Sequence, residues 1–272
     1  MEIKQLQQMG QAVRVDIVKM LGESGSGHPC GSLSLTDLIV TLYFNHLTHN
    51  PKNPTWEGRD YVILSKGHTA PALYSVLAES GYFPKEELMT LRKLGSRLQG
   101  HPAKDENLPG VEISTGSLGH GLSVGVGIAL GMRIDKKHNK VYVLMGCGEQ
   151  QEGSVWEAAM AAGHFKLANL IAVIDYNKIQ IDGKTEEIMG IDSLIDKYKS
   201  FRWNVIEIDG HNYPAIDDAF NKAKKVTDKP TVIIANTVKG KGVSFMENTH
   251  AWHGKAPKKE EVEKAIAEIM KG

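Results

Sequence analysis

Residues 141–177 read VYVLMGCGEQQEGSVWEAAMAAGHFKLANLIAVIDYN. Two unbroken apolar runs, 141–145 and 170–174, predict strands, and a helix over 155–165 lies between them. The runs do not alternate apolar with polar residues. Strands of that kind are buried on both faces, which implies a parallel sheet between two helix layers. The first run ends in Gly146-Cys147-Gly148 and the second in Asp175-Tyr176-Asn177.

The same pattern extends outward. Residues 205–208 and 231–235 predict two more strands, with a helix over 214–225 between them. Residues 61–64 predict another. At the amino end Ile3, Leu6, Met9, Val13, Ile17 and Met20 form one helical stripe. Residues 34–46 read as a helix with Ser34 as its N-cap. Further helices are expected over 71–80 and 84–94. A long loop over 95–116 then leads into a glycine-spaced helix over 118–134, and a polar-faced helix closes the chain over 257–271. No repeat or linker divides the sequence, so residues 1–272 are expected to form one α/β domain.

Of the 272 residues, 41% are hydrophobic and 24% charged, with 32 basic and 32 acidic side chains. Zero net charge argues against nucleic acid and anionic membranes as partners. Cys30 and Cys147 do not make a disulfide framework and suit a reducing compartment. The amino terminus lacks the apolar core of a signal peptide, so a cytoplasmic protein is expected. Gly121, Gly125, Gly127 and Gly131 resemble a small-xxx-small helix too short to span a bilayer. That helix is suited to close packing, including self-association.

In a doubly wound sheet, ligands bind beyond the carboxyl ends of the strands. His68, Gly146 to Glu149, Asp175 to Asn177, His211 and Lys239 to Gly242 all fall at such ends. A glycine pair there admits backbone amides to a phosphate, and Asn177 could coordinate a hard cation on it. The competing reading of Gly-x-Gly is a tight turn alone. Lys239 and Lys241 read equally as a phosphate contact or a solvated loop.

These residues together resemble a known family. Gly146-Cys147-Gly148, about thirty residues before Asn177, is similar to the Gly-Asp-Gly…Asn signature of thiamine-diphosphate enzymes. Ser26-Gly27-His28-Pro29, Ser65-Lys66-Gly67-His68 and Gly100-His101-Pro102 resemble three histidine loops of the transketolase family. Residues 114–121 look like its pyrimidine-contacting loop. Glu152-Gly153, Ile181-Asp182-Gly183 and His253-Gly254 follow in family order, so the likeness covers nearly the whole chain.

The resemblance implies a thiamine-diphosphate-binding fold and a set of roles. Position 147, Asn177 and the Ile179 carbonyl would hold Mg2+ or Ca2+. The Gly148 amide, His68 and His253 would contact the diphosphate. Gly116 and Leu118 would meet the aminopyrimidine through their backbones. His28 and His101, with His253, would line the sugar pocket. Glu152 would belong to a carboxylate pair that links two active sites. The implied reaction transfers a two-carbon ketol unit between sugar phosphates of the pentose phosphate type. The imidazoles would move protons and hydrogen-bond alkoxides, and the cofactor would do the carbon chemistry.

Two residues depart from the family pattern. Cys147 replaces the metal-binding aspartate, and a thiol is a poor ligand for a hard cation, so weakened metal affinity is expected. Cys30 replaces a glycine after His28-Pro29. The sequence also shows no second α/β module to carry the glutamate that activates the aminopyrimidine. A split enzyme is therefore expected, with two of these chains and two carboxyl-terminal subunits; a piece of a longer chain is the alternative. A deoxyxylulose-phosphate synthase and a cofactor-binding subunit without turnover remain the other two readings.

Overall fold

A computed structural model describes residues 1–271. In chain order its elements begin with α1 (Ile3–Ser24), α2 (Pro29–Thr41), β1 (Tyr61–Leu64) and α3 (Ala70–Glu79). Then come α4 (His120–Ile134), β2 (Val141–Gly146), α5 (Gly153–His164) and β3 (Leu170–Tyr176). Next are α6 (Thr185–Met189), α7 (Leu194–Ser200) and β4 (Asn204–Asp209). Finally α8 (Tyr213–Lys225), β5 (Thr231–Asn236) and α9 (Lys259–Ile269) complete the chain.

The five strands form one parallel sheet in the order β1-β2-β3-β5-β4. Alternate strand residues feed two cores. Leu64, Tyr142, Leu144, Ile171 and Val173 pack with α1, α2, α3 and α8. Ile63, Val143, Met145, Ala172 and Ile174 pack with α4, α5 and α7. This two-sided burial is what the unbroken apolar runs require. β4, at the sheet edge, is only half-buried. Among the described residues no helix is long and apolar enough to cross a membrane.

Three expectations need correction. α2 starts at Pro29, not Ser34: His28 takes the N-cap and Pro29 the first helical position, where its missing N–H costs nothing. Ser34 lies inside the helix, and its Oγ donates to Asp175 Oδ2 at 2.5 Å. Residues 84–94 form no α-helix; Lys85–Thr90 make a 3-10 turn, and the backbone leaves helical space at Leu91 and Arg92. The short helices α6 and α7 add to the expected elements.

The glycines of α4 divide their work. A Cβ on Gly121 would lie 2.3 Å from Ser65 Oγ, and one on Gly125 would lie 2.6 Å from Val143 Cγ2. Both glycines thus let the helix press onto β1 and β2. Gly127 and Gly131 face open space, beside the exposed Val124 and Ile134.

Candidate active site

The register sets Gly146 of β2 beside Asp175 of β3, and Tyr176 beside Asn236 of β5. Three strands therefore end at one level, and a cavity of ≈ 340 Å³ opens above them. His28, His68, Gly116, Leu118, Cys147 and Gly148 line it. Glu152, Asn177, Ile179 and His253 line it too. His101 flanks it, with its ring centroid 6.4 Å from that of His28 and its ring 3.6 Å from where a Gly116 Cβ would stand. Every site residue expected from the sequence is thus at the cavity or beside it.

Three imidazoles meet at one end. The His28, His68 and His253 centroids lie 5.2, 5.4 and 5.5 Å apart. Each arrives from a different element: His28 from the start of α2, His68 from the turn after β1, His253 from the loop before α9. Burial, with Arg92, His101 and Lys239 nearby, pushes the His28 pKa down to about 4. Burial and Lys239 push His253 down to about 3. Burial, with Lys66 next, lowers His68 well below the usual range, and burial and Arg92 lower His101. All four are neutral near pH 7, so each ring carries one donor and one acceptor nitrogen. The His28 Nδ1 is buried and finds no partner among the described residues.

Two lysines are buried beside this cluster: Lys239, which the sequence offers equally as a phosphate contact or a solvated loop, and Lys66, to which it gives no role. Lys66 is ion-paired to Asp175, which also accepts from Ser34, Thr237 and Asn177. Asp175 thereby fixes Lys66, which lines the cavity. Lys239 is 1% exposed. Its Nζ donates to the Ile179 carbonyl at 2.9 Å and to His253 Nδ1 at 2.8 Å. Burial lowers its pKa to about 8, which leaves it charged at neutral pH. Because the ammonium donates to Nδ1, the proton of His253 sits on Nε2.

Glu149 ties the walls together. Its carboxylate is 1% exposed and accepts from Ser65 Oγ, from the Gly119 amide at 2.9 Å and from the Gly146 amide at 3.0 Å. One side chain thus fixes the turn after β1, the loop before α4 and the end of β2. Gly119 has φ +86, and a Cβ there would lie 2.7 Å from Glu152 Cβ, so the approach of this loop to the start of α5 needs glycine. Glu152 itself is exposed, at the N-cap of α5.

The cavity suits a diphosphate. Gly146 and Gly148 open the β2 turn, and Lys239 is a buried cation without a carboxylate partner among the described residues. It suits a hard divalent ion poorly. Cys147 Sγ lies 3.7 Å from Asn177 Oδ1, which already accepts from the Ile179 amide at 3.2 Å. The Ile179 carbonyl accepts from Lys239. Asp175 and Glu149 are engaged elsewhere. Among the described residues no group of three or more His, Cys, Asp or Glu could hold a metal. The expected Mg2+ or Ca2+ set of Cys147, Asn177 and Ile179 thus offers no anionic oxygen.

Comparison with known proteins places this geometry. A family model described as transketolase, thiamine diphosphate binding domain, matches residues 5–269. The 6-deoxy-6-sulfo-D-fructose transketolase subunit SqwG of Clostridium sp. strain MSTE9 is 44% identical over 266 residues, 98% of this chain and 96% of that protein. An apulose-4-phosphate transketolase subunit of Phocaeicola vulgatus is 42% identical, over 99% of this chain and 95% of that protein. The crystal structure of a Campylobacter jejuni transketolase superimposes with a TM-score of 0.94 at 37% identity, covering 99% of this chain but 43% of that one.

Proposed function

This chain belongs to the transketolase family as its thiamine-diphosphate-binding domain, and from that premise we propose that it is the diphosphate-binding subunit of a split transketolase. With a separate carboxyl-terminal subunit it transfers a two-carbon ketol unit between anionic sugars. The observation that carries this reading is one cavity in which three neutral imidazoles cluster beside a buried ammonium. Relatives that span almost the same length and are named as subunits support the need for a partner.

Thiamine diphosphate, when bound, supplies a nucleophilic carbon and an electron sink for the two-carbon unit. The chain does the rest. Lys239 and the amides of the 146–148 turn hold the diphosphate. Gly116 and Leu118 meet the aminopyrimidine through their backbones. Neutral His28, His68, His101 and His253 exchange protons with the sugar's hydroxyl and carbonyl oxygens. His253 donates from Nε2, because Lys239 occupies its Nδ1. Glu152, exposed at the start of α5, meets its counterpart on a second copy, and the open glycines of α4 lie against that copy as well. Phosphorylated or sulfonated sugars are the substrate class, in keeping with what the two subunit relatives are named for.

The test is reconstitution. This chain is mixed with candidate carboxyl-terminal subunits, thiamine diphosphate, a ketose phosphate donor and an aldose phosphate acceptor. Mass spectrometry should find a ketose longer than the acceptor by two carbons. In a parallel mixture with pyruvate in place of the ketose donor, pyruvate consumption with release of carbon dioxide would instead mark a deoxyxylulose-phosphate synthase. Cofactor binding without any product would mark a subunit that does not turn over.

A further inference from the structure

Lys239 poses a physical problem. It is almost wholly buried, and among the described residues its ammonium meets only neutral acceptors, the Ile179 carbonyl and His253 Nδ1. The nearby Lys66 is neutralised by Asp175, and Asp175 is further saturated by Ser34 and Thr237. An unpaired buried ammonium is costly unless an anion joins it. The cavity is where that anion would enter, because Lys239 lines it.

The same ammonium stands in the way of a hard cation. Any ion on the Ile179 carbonyl would share that oxygen with Lys239 and be repelled across it. The remaining donors are a thiol at Cys147 and the neutral amide of Asn177. Neither carries the negative charge that Mg2+ or Ca2+ draws from carboxylates. Glu149 cannot swing in to help, because two backbone amides and Ser65 hold both its oxygens.

We propose that the cation facing the cofactor's diphosphate in this chain is the Lys239 ammonium, so that binding needs no divalent metal. The inference rests on the thiamine-diphosphate reading above. It makes Lys239 and Cys147 a matched pair: a thiol at position 147 leaves the diphosphate site without an anion that would demand a metal. Cys147→Asp restores an anionic oxygen and with it a metal requirement.

Calorimetry on the metal-stripped chain tests this with two probes, inorganic pyrophosphate and thiamine diphosphate, each with EDTA and then with excess Mg2+. Wild-type affinity should move by less than about threefold on adding Mg2+, whereas Cys147→Asp should gain about tenfold or more. Lys239→Met should lose about tenfold or more with both probes, the effect of removing one charge-assisted contact to phosphate, and Lys239→Arg should retain most of it. Circular dichroism reports whether the variants fold, and the wild-type metal arm decides even where one does not. Wild-type binding that appears only with Mg2+, or a folded Lys239→Met that binds like wild type, overturns the inference and leaves the cofactor reading standing. Silence of both probes under every condition, with the candidate carboxyl-terminal subunits added as well, overturns both.

Discussion

Replacing Glu149 with alanine removes the acceptor that three parts of the site share. The Ser65 hydroxyl and the amides of Gly119 and Gly146 lose their partner at once. The site is buried, so these donors are not simply handed to bulk water. Each unsatisfied donor costs about 1–3 kcal/mol. The three losses are not independent, and relaxation or an entering water recovers part, so the net cost is about 3–5 kcal/mol. At about 2–4 °C per kcal/mol for a chain of roughly this size, the melting temperature should fall by about 6–20 °C. Differential scanning calorimetry measures this directly. Glu263→Ala is the control: it makes the same charge change at an exposed position of α9 and should shift melting by about 1 °C or less. Thiamine-diphosphate affinity should fall with Glu149→Ala as well, because the loop that carries Gly116 and Leu118 and the 146–148 turn both line the cavity. A Glu149→Ala protein that melts within about 2 °C of wild type would refute the clamp role.

Further outcomes follow from other parts of the fold. Asp37 is buried and accepts from Arg14 twice, from Tyr213 and from His211; burial raises its pKa, but these donors together win and hold it far below the usual carboxylate range. Its contribution to stability is therefore complete above the unfolded carboxylate pKa of about 3.9 and is lost as pH falls further. Urea titrations from pH 5 to pH 2.5 should show that loss, and Asp37→Asn should show less of it. His28 and His253 have lowered pKa values in the folded chain, about 4 and about 3, so the unfolded chain takes up protons first. Stability should thus decline as pH falls from about 6.5 toward 4, and His28→Gln should flatten that slope in the same urea titrations. Gly127→Arg should leave monomer folding intact but shift sedimentation toward the smaller species, whereas Gly125→Leu, pressed against Val143, should impair folding itself.

Much of the fold is legible in the sequence because it is local. The apolar runs at 141–145 and 170–174 are central strands, and the loops that carry His28, His68, His101 and His253 converge as expected. The errors have physical reasons. Serine favours N-caps, which makes Ser34 look like one, but Asp175, 141 residues away, claims its hydroxyl; His28-Pro29 is the better signal. α6 and α7 span 5 and 7 residues, too short to display a period. Ser193, which accepts from the Asp196 amide at 3.2 Å, is the only local sign of α7. Lys66 and Asp175 are 109 residues apart, and no spacing predicts their pairing. In the sequence Lys239 is one of two lysines around a glycine. Only the fold distinguishes it from Lys241, which contributes its carbonyl to Arg14 instead of its side chain to the cavity.

All thirteen residues of α2 are buried, polar ones included. Solvent reaches its backbone only through a large unfolding event, so its amide protons should be among the last to exchange with deuterium. His28 caps this helix. The histidine end of the cavity is therefore anchored to a slow-exchanging part of the molecule, and fraying of the half-exposed β4 edge can come and go without disturbing it.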